Sequence, residues 1–374
     1  MNYEPLSLHR QRFQVGKPTL FGIFDAGGRL LLARGQVIGS EDQLDTLVDR
    51  DATVDLREFD DTAGKIASAR PEHLAAIWDE SMGAIGRVLR ANPDVDFTKS
   101  LDQASRPLLA LIARDPDLAI LQAVRFESGA NQSLYSNRHA VHAATAACLA
   151  ATRLGWSEER GRCVLRAALT MNIAMAELQN RLVSQVTPVT PLQRGEIRSH
   201  PERSAKMLEM AGVTDSEWLD AVRQHHEVES GTGYPLGLTK ISEIAQLVQC
   251  ADIFTAKLSP RVLRPPLLAD KAARLLYQAS KGSQMTAALI KEFGLYPPGC
   301  AVRLKSGETG LVMRRGEGAN TPVVAVLADR SGDPLLTPGR RDTSKPEFAI
   351  VAVIPMAALK VRVGLEKLLS LVPD

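Results

Sequence analysis

The chain has no C-x-x-C pair. Its four cysteines, Cys148, Cys163, Cys250 and Cys300, stand far apart, which fits reduced thiols used for packing better than a disulfide or zinc framework. It also has no surplus of one charge: 45 basic and 43 acidic residues leave a formal charge of +2, so the electrostatic footprint of a binder of nucleic-acid polymers is missing. No window approaches the roughly 18 consecutive apolar residues of a membrane span, and Met1-Asn2-Tyr3-Glu4-Pro5 carries no basic segment followed by an apolar run. The expectation is a cytoplasmic protein with no membrane partner. Internal repeats and low-complexity tracts are absent too. What remains is ordinary globular material, 374 residues with 45% hydrophobic content, enough for one large domain and smaller ones.

The patterning predicts three regions. Residues 19–38 hold two β-forming runs around Asp25-Ala26-Gly27-Gly28, a hairpin signal. Ser40 with Gln43 reads as a capping box opening a short helix through Leu44, Leu47 and Val48, with a strand returning over Thr53 to Leu56. These make a small N-terminal α/β module, residues 1–65, and the polar stretch from Glu58 to Arg70 reads as a linker. From Pro71 to about Phe293 apolar residues recur at three and four residue spacing, as in Leu108, Leu111 and Ile112, so a helical domain is expected over 71–295. Its breaks fall at Asn92-Pro93, at Thr187-Pro188 with Thr190-Pro191, around Gly231 to Leu238, and at Arg264-Pro265-Pro266. After Pro297-Pro298-Gly299 the period shortens, predicting strands over Ala301 to Leu304, Thr309 to Met313, Pro322 to Leu327 and Ala349 to Ile354. A charged loop, Thr337 to Glu347, and a short helix near Leu359 to Leu371 complete a β-rich appendage, residues 296–374. The fold class is mainly α.

Five of seven histidines lie between residues 139 and 226: His139, His142, His200, His225 and His226. Neutral imidazole suits borderline transition metals, but isolated helical histidines more often serve packing or solvent, so clustering alone decides nothing. The adjacent pair His225-His226, followed by Gly231, Gly233, Tyr234 and Pro235, resembles the signature of HD-GYP phosphodiesterases. His139, His200-Pro201, Asp252 and the segment Phe293 to Gly299 extend that resemblance over roughly residues 130–300. His142 matches no ligand position and reads as structural.

In active members of that family the first histidine, a His-Asp pair, the later histidines and a late aspartate hold two or three ions that open cyclic di-GMP. The resemblance therefore implies His139, His200, His225, His226 and Asp252 as residual metal candidates. Met171 and Asn172 stand where the His-Asp pair would be, Met175 where a lysine assists at the phosphate, and Ala174 for the usual glycine. Tyr135 and Ser230 replace acidic residues. Thioether and amide give no anion to bridge two dications, and one carboxylate against two ions leaves about three uncompensated charges. The expectation is no metal, or one partly held divalent ion of iron, manganese or zinc.

Arg261 and Arg264 fall where relatives place bases toward the nucleotide phosphates, though a solvated loop is an equal reading. Gly231, Gly233, Tyr234 and Pro235 would present an exposed aromatic turn, which in the family is proposed to meet diguanylate cyclase domains. Three functions follow in order: a catalytically degenerate signalling protein binding cyclic di-GMP or a protein partner, an active metal-dependent cyclic di-GMP phosphodiesterase, and a non-catalytic scaffold.

Overall fold

The computed structural model describes residues 3–13, 15–19, 21–33, 35–55, 62–91, 96–125, 134–318, 320–359, 361 and 363–371. The chain divides into two compact units, Met1–Ser68 and Ala69–Asp374.

The first unit is a four-stranded antiparallel sheet in the order β1-β4-β2-β3, formed by β1 (Tyr3–Pro5), β2 (Ile23–Phe24), β3 (Leu30–Leu32) and β4 (Thr53–Asp55). Helix α1 (Glu41–Asp49) starts where Ser40 accepts a hydrogen bond from the Gln43 amide. The Gln43 side chain reaches back to the Gly39 amide instead of that of Ser40, one residue beyond a strict capping box. Leu6, Phe21, Ile23, Leu44 and Val54 form its core. The expected linker from Glu58 needs correction, because α2 (Thr62–Ser68) is helical and buries Ile66; Leu56 and residues 57–61 lie outside the described residues.

The second unit is mainly helical. Its helices are α3 (Pro71–Arg90), α4 (Phe97–Arg114), α5 (Pro116–Val124), α6 (Tyr135–Arg153), α7 (Glu158–Thr170), α8 (Ala176–Leu182), α9 (Pro191–Met210), α10 (Ser216–Gln224), α11 (Glu243–Leu258), α12 (Ala269–Ala279) and α13 (Gln284–Phe293). Prolines open α3, α5 and α9 at positions whose missing N–H costs nothing. The Asn92-Pro93 break lies outside the described residues. Helix α6 is the axis of the unit. Ala143, Ala144, Ala146, Ala147 and Ala150 are fully buried along it, and their small side chains let α3, α5, α7, α11 and α13 pack closely around one helix.

Beyond α13 five antiparallel strands run in the order β8-β7-β6-β5-β9: β5 (Ala301–Leu304), β6 (Thr309–Arg314), β7 (Val323–Ala328), β8 (Pro334–Asp342) and β9 (Ile350–Ile354). The charged stretch expected as a loop from Thr337 is strand β8 as far as Asp342. Among the described residues it is an edge strand pairing only with β7. A short helix, α14 (Leu365–Leu369), follows and packs on α3.

Ion pairs fasten this sheet to the helices. Asp115, nearly inaccessible, caps α5 by accepting from the Leu118 amide at 2.9 Å and takes both Arg314 nitrogens at 3.1 and 3.0 Å. Arg315 bonds Asp117 and reaches the Glu292 carboxylate at 2.7 Å, which also holds Arg153. Gly299 turns there with φ +93°, and a Cβ would stand 2.7 Å from the Leu121 carbonyl. Removing one member of a buried pair strands the other charge, so Asp115→Ala is expected to cost about 3–5 kcal/mol, against about 1 kcal/mol for a lost cap alone. Urea unfolding measures this; a loss of cap size would show that the pair contributes nothing.

Candidate metal and phosphate pocket

The pocket is built from helices α6, α8, α9 and α11 and from the segments that follow α7 and α10. A cavity of about 180 Å³ is lined by His139 of α6, Asn172 and Met175 after α7, His200 of α9, Asp252 of α11, and His226 and Tyr234 of the loop after α10. Arg261 lies at its edge and is exposed.

Proline shapes the first of these positions. Pro201 has no N–H, so the Ile197 carbonyl four residues earlier in α9 loses its helical donor. His200 Nδ1 takes that carbonyl at 2.6 Å. His225 sits at the C-terminal end of α10, where the last carbonyls lack intrahelical donors, and its Nδ1 bonds the Val222 carbonyl at 2.7 Å. A carbonyl oxygen only accepts, so both Nδ1 atoms carry the proton and both Nε2 atoms present lone pairs. Those lone pairs face each other 3.1 Å apart.

A proton between them would relieve the repulsion, but burial opposes it: the His200 imidazole is pushed down to about 3, and His225 is lowered well below its usual range. Burial lowers His226 as well. A cation fits the slot better. Two imidazoles about 2.1 Å from one ion at ordinary coordination angles lie roughly 3.0–3.4 Å apart, and a donor group on the remote ring nitrogen is the usual support of a metal-bound histidine. The ligand atoms of His200, His225 and His226 all lie within 4.8 Å of one another. These three would hold one divalent ion, which would supply a Lewis-acidic site for a phosphate oxygen or water.

His139 and Asp252 form a separate pair on the same wall. His139 Nε2 bonds Asp252 Oδ1 at 2.7 Å and its ring stacks on Tyr135, 5.8 Å between centroids and 3° between planes. Burial alone would raise the Asp252 carboxyl, but the His139 hydrogen bond and the nearby imidazoles outweigh it and hold Asp252 well below the usual carboxylate range. Asp252 is the only carboxylate on the pocket wall among the described residues. Asn172 is 7% exposed with its Oδ1 buried and lacking a hydrogen-bond partner, while Met171 is fully buried behind it.

Other residues fall differently from expectation. Tyr234 is not an exposed aromatic: it turns inward and stacks on His226 at 4.6 Å. Arg264 does not line the pocket, and its guanidinium bonds the Ala256 carbonyl at the end of α11. Gly231 takes φ +73°, and Gly233 passes so close to Glu227 that a Cβ would stand 2.5 Å from its Cα. The residue that organises this loop, Glu227, was not foreseen. It is 1% exposed and accepts the amides of Leu236, Gly237 and Leu238 at 2.7, 3.2 and 3.0 Å. An acid beside two histidines reads as a ligand or a solvated group; only the glycine-rich turn about ten residues on hints at a carboxylate gathering loop amides.

His142 stands apart, on the face of α6 toward Trp78 with 6.4 Å between rings. Burial, with the charges of Arg138 and His139, pushes it down to about 3 from 6.5. A buried neutral histidine protonates more readily once unfolded, so its stabilisation is complete above 6.5 and is lost as pH falls from there toward 3. At pH 5 the loss is about 2 kcal/mol. Urea unfolding at pH 7.5 and 5 should show that extra loss in the native chain and not in His142→Gln; equal losses would refute it.

With this geometry in place, the likenesses to known proteins are informative. Residues 124–285, within the helical unit, match the HD domain family model. The chain is 27% identical over 265 residues to the cyclic di-GMP phosphodiesterase PA4108 of Pseudomonas aeruginosa, a match covering 68% of this chain and 62% of that relative, less than two thirds of its length. Among solved structures it resembles Bd1817, a HDG"Y"P protein from Bdellovibrio bacteriovorus, with TM-score 0.50 and 17% identity over 77% of this chain and 97% of the other, which speaks to the fold alone. Among the described residues no helix is long and apolar enough to cross a membrane.

Proposed function

We propose that this protein is a signalling receptor of HD-GYP type that binds cyclic di-GMP and does not turn it over at an appreciable rate. The observation that carries the reading is the pocket's single carboxylate, already bonded to His139, with Asn172 and Met175 beside it. Two divalent ions would bring four positive charges against one negative, and repulsion between uncompensated charges in a shielded site costs several kcal/mol. One ion on His200, His225 and His226 leaves a modest positive excess. That excess, with Arg261 at the rim, attracts a phosphodiester without assembling the pair of ions that would attack it. Met175 supplies no proton to a leaving oxygen. A cavity of about 180 Å³ has room for a phosphate and part of a ribose, so the remaining nucleotide would extend toward Arg261.

The facing lone pairs of His200 and His225 favour a second reading, an active metal-dependent phosphodiesterase. Leu236, 65% exposed beside Pro235, is where a partner such as a diguanylate cyclase domain would meet the loop. Calorimetry with cyclic di-GMP, with and without manganese, together with chromatography for linear pGpG and GMP, separates these functions. Micromolar binding without product is expected; steady product formation would establish the enzyme, and absence of binding would leave only a scaffold.

A further inference from the structure

A second cavity, about 740 Å³, lies between the end of the helical core and the β sheet. Its walls are aliphatic, with Leu258, Val262, Leu268, Val353, Ile354 and Met356 prominent among them. Three cationic side chains, Arg138, Arg261 and Lys271, stand on its lining, and among the described lining residues there is no carboxylate. Neither is there an amide side chain or an aliphatic hydroxyl, the groups that would read the edge of a nucleobase. Tyr135 is the exception. It lines both this cavity and the histidine pocket, is 4% exposed, and has its hydroxyl buried without a hydrogen-bond partner. A buried phenol in that state is costly unless an acceptor arrives.

We propose that this cavity is a ligand site for a single-chain acyl amphiphile with an anionic head, a carboxylate or a phosphate monoester. The volume lies in the range of about 300–1,000 Å³ that holds small organic ligands. Branched aliphatic walls suit an alkyl chain, which needs no hydrogen bonds, and the three cations complement the head. Tyr135 donates its free hydroxyl to a head-group oxygen. Because the same ring stacks on His139, the occupant bears on the wall of the histidine pocket. The proposal does not rest on the cyclic di-GMP reading, since it needs neither metal nor nucleotide, although Tyr135, Val183 and Arg261 line both cavities.

The test is calorimetric titration of the metal-free, nucleotide-free full chain with octanoate, decanoate, laurate, dodecyl phosphate and dodecanol. Laurate or dodecyl phosphate should bind at about one site per chain, the comparison of the two distinguishing a fatty-acid from a phospholipid-derived source. Affinity should rise about fourfold for each added methylene from octanoate to laurate. Lys271→Glu should weaken laurate about tenfold by reversing a charge at the mouth. Leu267→Trp, filling the cavity from its wall, should abolish binding with the melting temperature unchanged; Ala357→Trp on the exposed rim does the same should the first variant not fold. No binding of either anion, dodecanol binding as tightly as laurate, or laurate binding that survives both tryptophans would each overturn the proposal.

Discussion

Joint replacement of Met171→His and Asn172→Asp is expected to raise bound manganese from at most about one ion per chain to about two, read by elemental analysis after reconstitution. Asn172 is on the wall with His139, His200, His226 and Asp252, and its Oδ1 already points into a buried space with no donor. Aspartate there adds the missing negative charge with almost no change of shape. Cyclic di-GMP turnover should become measurable with the second ion, and adding Met175→Lys should raise it by a further ~10²–10⁴-fold, the usual contribution of a positioned acid. Histidine at the fully buried Met171 position costs about 1–3 kcal/mol unless the ion engages it, so metal should raise the melting temperature of the double variant more than that of the native chain. Two ions in the native chain, or a folded double variant that still holds one, would remove the electrostatic basis of the reading.

His225→Ala should reduce metal affinity by more than ~100-fold, since it removes one of the two opposed nitrogens outright. A subtler change carries more information. Pro201→Ala restores the amide that the Ile197 carbonyl lacks, and the helix bond then competes with His200 Nδ1 for the same acceptor. The loss of that support is expected to weaken metal binding by about 10–100-fold, while the protein melts at the same temperature or higher. Fluorescent-indicator competition for zinc measures both. Unchanged affinity in Pro201→Ala would mean that the carbonyl does not set the ring.

Much of the helical domain was legible where its signals are local, at Pro71 and at Thr190-Pro191, which open helices as Ser40 does in the first unit. Strand β8 was not, because an edge strand paired on one side carries no buried alternation, and Arg340, Arg341 and Asp342 read as a solvated loop. Helix α2 hid in a polar stretch for the same reason, with Ile66 its sole buried residue. In the pocket, residue types foretold which side chains converge, since order and spacing are visible in a sequence. Orientation is not. Tyr234 turns inward because Glu227 gathers the loop beneath it, and Arg264 bonds a helix end; both depend on backbone groups that a sequence does not display.

The knot at Glu227 has a mechanical meaning. Its carboxylate ties the far limb of the turn to a residue directly bonded to His226, and Gly233 leaves no slack between the two strands of chain. The turn therefore cannot swing as a free flap. A push on its outer tip travels through three amides into the neighbouring imidazole, so anything that grips the rim also retunes the chamber behind it.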